Sequence, residues 1–315
     1  MESPEDPSLY RFSLFFRYDT AADRLDALPL PERTQAVTYD AETGVLWVGN
    51  VAGSRLFRIR ADAFDHQLEF TCEMVARNSD PSCVCPDDAG DLYAEYPAHR
   101  DVQDVIIERD KNRMLVFYET PSDELAWRSL PHEATIWQLE PMKMIKQVFN
   151  PSADFVRRSA KTGHYYTQVD WIPPGVAELD QDTLQIRRTL MWPFGFGLDV
   201  DPATGDLFLV NPVTGRLYRI DPVGLKVVDS MKIGIGLKSV TVDSGRGLLY
   251  VGNYFTGDFY VVSWNDKKVL ATANVGQRNY ATLVVPESGR VFTTTTYGFF
   301  EIKVDELIAR GTADE

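Results

Sequence analysis

The sequence predicts an all-β chain folded as a six-bladed β-propeller, with four antiparallel strands to a blade. Three observations carry that prediction. A turn-and-strand unit recurs as Asp40-Ala-Glu-Thr-Gly44-Val-Leu-Trp-Val-Gly-Asn50, Asp201-Pro-Ala-Thr-Gly205-Asp-Leu-Phe-Leu-Val-Asn211 and Asp243-Ser-Gly-Arg-Gly247-Leu-Leu-Tyr-Val-Gly-Asn253. With weaker copies around Asn112, Gly163 and Gly289, the anchors fall at 44, 112, 163, 205, 247 and 289, in steps of 68, 51, 42, 42 and 42. Each repeat also divides into four short runs rich in Val, Ile, Leu, Tyr and Phe, and no long segment has helical spacing apart from a turn at 305–309.

The elements follow in chain order. Residues 1–9 are an acidic tail, and 10–305 form a single propeller domain. The text from Phe15 to Leu30 reads as a hairpin. The first two repeats carry insertions at about 76–101 and 120–134. The fourth repeat is the clearest, with strands at 196–200, 207–210, 217–220 and 226–230. Its Asp-Pro-x-x-Gly turn suits a hairpin, because Pro fixes φ early and Gly accepts a positive φ before the next strand. The sixth repeat supplies strands at 281–285, 291–295 and 299–304, and 306–315 is a C-terminal tail. Its missing fourth strand is expected from the N-terminus, which would close the ring and remove both free sheet edges. The N-terminal text offers two strands where one is missing, so a seven-bladed ring with a partial blade is the alternative.

Composition narrows the partners. At 44% hydrophobic and 12% aromatic against 25% charged, this is a core-forming soluble chain and not a disordered or fibrous one. Its 315 residues need no disulfide or metal to fold. A net charge of −14 repels phosphate backbones and lipid headgroups, which argues against nucleic acid and direct membrane insertion. The acidic opening lacks the order of a signal peptide, and no run is apolar enough to span a membrane. A monomer is expected, in the cytoplasm or as an exported domain whose targeting segment was removed.

Antiparallel alternation separates the two ends of each blade. The a–b loops are short and uniform, whereas the b–c loops and d-to-a connections carry the insertions and the aromatic turns, so that end is the expected working face. Its candidate binding residues are the aromatics Trp171, Trp192, Phe194, Tyr254, Tyr280 and Tyr297 with the polar groups Asn211, Asn253, Arg278 and Asn279. Trp, Tyr and Arg are the residue types that concentrate binding energy. Trp192, Phe194 and Phe196, alternating with Pro193, Gly195 and Gly197, are expected on one side of an extended connection.

Candidate chemistry is sparse. His99 and His132 fall in the two insertions and are the only histidines placed to act as general bases there. Cys83, Cys85 and His99 are the residues that could hold a metal, but they lack a CxxC pair. Cys72 could instead form a disulfide with Cys83 or Cys85, or all three could be plain thiols. Asp87, Asp88, Asp91, Asp199 and Asp201 lack calcium-loop spacing and read as turn-opening aspartates. No nucleophile elbow, zinc-protease pair or phosphate loop occurs, and no cofactor is expected.

The cores Leu-Trp-Val-Gly-Asn50 and Leu-Tyr-Val-Gly-Asn253 resemble the repeats of YVTN-type and related NHL-like β-propellers. The resemblance implies the fold and leaves the function open, since such propellers include lyases, lactonases, dehydrogenases and binding scaffolds. Lactonase-type propellers hold a divalent metal with carboxylates and Asn at the inner strands. The corresponding stretches here are Arg33 to Gln35, Asp101 to Asp104, Asp154, Phe196, Lys238 and Tyr280, and two aromatics and a lysine do not fit that ring. The expectation is a non-enzymatic binding or scaffold propeller recognising a protein segment or small ligand at the b–c/d–a face. The alternative is a lactonase-like lyase or hydrolase with its site at the channel mouth.

Overall fold

Every anchor residue of the repeat lies in the a–b turn of a sheet, with φ of 68° at Gly44, 49° at Asn112, 75° at Gly163, 74° at Gly205, 66° at Gly247 and 62° at Gly289. The left-handed conformation explains the repeated Gly, and Asn is the side chain that tolerates it best at the second anchor. The aspartates that open these turns cap them: Thr43 Oγ1 donates to Asp40 at 2.6 Å, and Thr204 Oγ1 to Asp201 at 2.7 Å. The computed structural model describes residues 13–19, 22, 24–30, 34–50, 55–61, 69–72, 101–119, 132–141, 143–150, 155–169, 174–279, 281–285, 288–295 and 297–311. The fold is a six-bladed β-propeller of antiparallel sheets, distributed over two compact units, Met1–Asp154 and Phe155–Glu315.

The first unit begins with a hairpin of β1 (Ser13–Asp19) and β2 (Arg24–Leu30). Two meanders follow. One is β3 (Thr34–Asp40), β4 (Val45–Asn50), β5 (Arg55–Arg60) and β6 (Glu69–Cys72); the other is β7 (Asp101–Glu108), β8 (Arg113–Glu119), β9 (His132–Gln138) and β10 (Lys143–Asn150). Trp47, Val102, Val105, Val116, Tyr118 and Trp137 form the core between the two sheets. Arg109 joins their a–b turns by pairing with Asp40, pairs also with Glu140 in the β9–β10 turn of its own sheet, and its hydrogen bonds hold the Asp40 carboxyl below the usual range.

The second unit holds four sheets. They are β11 (Arg157–Arg158) to β14 (Ile186–Leu190) through β12 (Tyr165–Val169) and β13 (Gly175–Leu179), then β15 (Gly197–Val200) to β18 (Lys226–Lys232) through β16 (Leu207–Asn211) and β17 (Arg216–Asp221). Next come β19 (Leu237–Asp243), β20 (Leu248–Asn253), β21 (Asp258–Ser263) and β22 (Lys268–Asn274), and finally β23 (Ala281–Val285), β24 (Arg290–Thr295) and β25 (Gly298–Ile302). The first strands β11, β15, β19 and β23 lie side by side in that order. Apolar faces pack between successive sheets, for example Phe208, Val210 and Leu217 against Leu237, Leu249 and Val251. Each such side chain stabilises the fold by roughly 1.5–3 kcal/mol.

Both termini add detail to the expected pattern. β1 and β2 pair with each other from Ser13↔Leu30 to Asp19↔Arg24, and the last sheet has three described strands. The hairpin is the one read from Phe15 to Leu30, and its short turn makes pairing entropically cheap. The expected C-terminal tail contains a helix, α1 (Val304–Gly311). Its Val304, Leu307 and Ile308 lie one helical turn apart and pack with Tyr250, Phe259 and Ala271. The insertion residues 73–100 and 120–131 lie outside the described residues, and β9 already starts at His132.

Candidate functional site

In the four sheets of the second unit, the b–c turns and the d-to-a connections share one end. The turn after β16 is Asn211-Pro-Val-Thr-Gly215, and the turn after β20 is Asn253-Tyr-Phe-Thr-Gly257. Asn211 and Asn253 are buried. Asn211 Oδ1 accepts from the backbone N–H groups of Val213 and Thr214 at 2.9 and 2.8 Å, and Asn253 Oδ1 from those of Phe255 and Thr256 at 3.0 and 3.1 Å. Their Nδ2 groups donate to connection carbonyls, Phe194 and Ile235, each at 2.8 Å. These side chains form the turn and fasten the neighbouring connection to it, which is how short amides act in tight turns.

Backbone hydrogen bonds then join one blade to the next. Gly236 N donates to Pro212 O at 2.8 Å, Tyr254 N to Gly236 O at 2.9 Å, and Arg278 N to Tyr254 O at 2.9 Å. Gly236 has φ +95°, and a Cβ there would sit 2.6 Å from Asn253 Oδ1 and 2.7 Å from Phe255 Cδ2. Gly276 has φ +100° and lies directly against the Tyr297 ring. Neither position accepts a side chain, so the aromatics rest on bare backbone. The turns of this end are held in place by the chain's own hydrogen bonds.

What they display is apolar. Val213, Phe255 and Tyr297 are 67%, 64% and 72% exposed, and they occupy one repeat position at steps of 42. Trp171 holds that position in the preceding repeat but lies outside the described residues. The connections add Met191 and Trp192, and Ile235, all exposed. Turn chemistry favours small polar residues at such points, and here a large apolar one recurs in their place. Trp192, Phe194 and Phe196 run in a row, with ring centroids 5.7 and 6.2 Å apart, and Lys238 Nζ lies 4.2 Å from the centre of the Phe196 ring.

Charge distinguishes this end as well. Segments 190–197, 211–216, 231–238, 253–258, 274–279 and 295–298 contain four cations, Arg216, Lys232, Lys238 and Arg278, and one carboxylate, Asp258, among the described residues. Asp258 is already engaged, accepting from Thr256 Oγ1 at 2.6 Å and from Asn274 Nδ2 at 3.0 Å.

The remaining expected residues divide. Tyr254 is half-buried and edge-on to Phe255 at 5.6 Å, and Arg278 is exposed. Asn279 is buried where the two preceding repeats put Leu237 and Gly195; Thr293 Oγ1 donates to its Oδ1 at 3.1 Å. Sequence reasoning missed Met191, Val213, Ile235 and Phe255, although the 42-residue register linking Val213, Phe255 and Tyr297 was available. Trp171, Tyr280, Cys83, Cys85 and His99 lie outside the described residues, as does the side chain of His132. Asp201 caps its turn as expected, whereas Asp199 accepts from Val242 N at 2.9 Å and pairs with Arg157 at 3.3 Å. Burial pushes the Asp199 carboxyl above its usual range despite that pair. Among the described residues, no group of three His, Cys, Asp or Glu side chains could hold a metal ion. No protein-family model and no curated protein matches the chain.

Proposed function

We infer that this chain is a non-enzymatic binding propeller of the YVTN-type or NHL-like repeat class, taking a protein segment on the b–c/d–a end of its second unit. One observation carries the reading: the same turn position in three successive repeats exposes Val213, Phe255 and Tyr297 on hydrogen-bonded backbone. Sheets packed face to face lie roughly 10 Å apart, so three blades spread the anchors over roughly 20 Å, the reach of about six extended residues. That span suits a peptide better than a single metabolite. Pre-formed anchors bind without the loss of entropy that ordering a loop would bring. Asn211, Asn253 and Gly236 serve as the supports, and Trp192, Tyr254 and Arg278 extend the surface.

The test is selection of random twelve-residue peptides displayed on phage, run in parallel on the wild-type protein and on a V213S/F255S/Y297S variant. Peptides enriched by the wild type and lost on the variant are the expected result. Equal enrichment on both proteins, or none on either, rejects the reading.

A further inference from the structure

We propose that the segment bound at this end is acidic and carries large apolar side chains. The proposal rests on the binding-face reading above and deepens it by naming the partner's chemistry.

The first argument is charge. The chain is strongly acidic, with a net charge of −14, yet this end gathers Arg216, Lys232, Lys238 and Arg278 around its exposed apolar residues. Among the described residues no carboxylate lies within ion-pair distance of any of the four. At the opposite end of the same sheets several cations are paired, as Lys161 and Arg219 with Asp206, Arg188 with Glu178, and Arg290 with Glu301.

The second argument is placement. Arg216 and Lys232 face each other directly across β17 and β18, an arrangement that disfavours the folded chain because like charges oppose. Arg216 donates to Ser230 Oγ at 3.0 Å, which fixes the guanidinium without neutralising it. In the next blade the equivalent pair is Asp258 and Asn274, which satisfy each other. Arg216 and Lys232 lie at this end of the β15–β18 sheet and Lys238 in β19, while Arg278 sits one blade on in the β22–β23 connection. An acidic segment relieves that repulsion while its apolar side chains cover the exposed anchors. The anionic surface of a membrane would offer similar charge, but the rest of the chain is repelled by it, so a protein segment is the occupant argued for.

The experiment reads the composition of the peptides selected above and then tests the strongest of them. They should be enriched in Asp and Glu alternating with Leu, Ile, Phe or Trp. A synthetic copy of the strongest should bind about tenfold more weakly at 500 mM than at 50 mM NaCl, since the Debye length contracts. Changing its acids to Asn and Gln, or the protein to K232E/R278E, should weaken binding by about the same factor. Neutral or basic peptides that are lost on V213S/F255S/Y297S would overturn the acidic partner while leaving the binding face intact. Peptides unaffected by that variant would overturn both. Co-sedimentation of the wild type with vesicles of phosphatidylcholine and phosphatidylserine, abolished by the same variant, would replace the protein segment with a membrane.

Discussion

Both ends of the second unit's sheets are held by hydrogen bonds, and they differ in chemistry. At the a–b and c–d end, aspartates cap the turns and ion pairs join neighbouring strands, as in Asp201 with Thr204 and Arg188 with Glu178. At the b–c/d–a end the capping is done by buried Asn, and the surface carries Trp192, Val213, Ile235, Phe255 and Tyr297 with Arg216, Lys232, Lys238 and Arg278, which have no carboxylate partner among the described residues. Order alone therefore does not mark a working surface. The difference lies in what rigid turns are made to display.

Four tests would break or sharpen this contrast. The largest effect is expected at Gly236. Gly236→Ala places a methyl against Asn253 and Phe255 at a φ that disfavours any side chain, and should cost about 3 kcal/mol. Gly247→Ala at the opposite end, with nothing within 4 Å of its added carbon, should cost only about 1 kcal/mol. Urea unfolding of both variants measures the gap, and equal losses would show that the b–c/d–a end is not tightly packed.

Next is Asn253→Ala, which leaves two turn N–H groups and the Ile235 carbonyl without their partner. The expected cost is about 2 kcal/mol, read as a lower urea midpoint with an unchanged slope. A loss of peptide binding with no loss of stability would instead make Asn253 a direct contact.

Acid should act on the other end first. Burial pushes Glu178 up, but the hydrogen bonds from Arg188 and Tyr166 outweigh it and hold its carboxyl below the ordinary value of 4.5. A carboxylate depressed in the folded state contributes stability that is full above 4.5 and is lost as pH falls through its lower folded value. Thermal melts between pH 7 and pH 3 should show this acid-side loss in the wild type and a smaller one in Glu178→Gln. An identical pH profile in the variant would remove Glu178 from the account.

The blade pattern was legible because it depends on backbone conformation that only certain residues accept. Gly44, Gly163, Gly205, Gly247 and Gly289 are forced by left-handed turns, so their spacing reported the blades directly. Asn211 and Asn253 were noticed for the right position and a different role. An Asn at a strand end looks like a donor to a ligand, yet Thr-Gly three and four residues on is the chemistry of a turn that absorbs the amide. Val213 and Ile235 were passed over because an apolar residue beside a strand reads as its continuation. Only their exposure reveals otherwise. The N-terminal hairpin was legible as two alternating runs from Phe15 to Leu30, and β1 and β2 pair there.

The smallest expected effect on stability accompanies the most direct test. The strongest selected peptide, labelled with a fluorophore, is titrated against two variants, V213S/F255S/Y297S at one end and V223S/R246S/K303S at the other. Val213, Phe255 and Tyr297 are exposed, so the first variant should melt within about 3 °C of the wild type. It should also bind at least about tenfold more weakly, as loss of central anchors does. The second variant should bind as the wild type does. Binding lost at the a–b end, or retained after the three anchors are removed from a folded protein, would contradict the account.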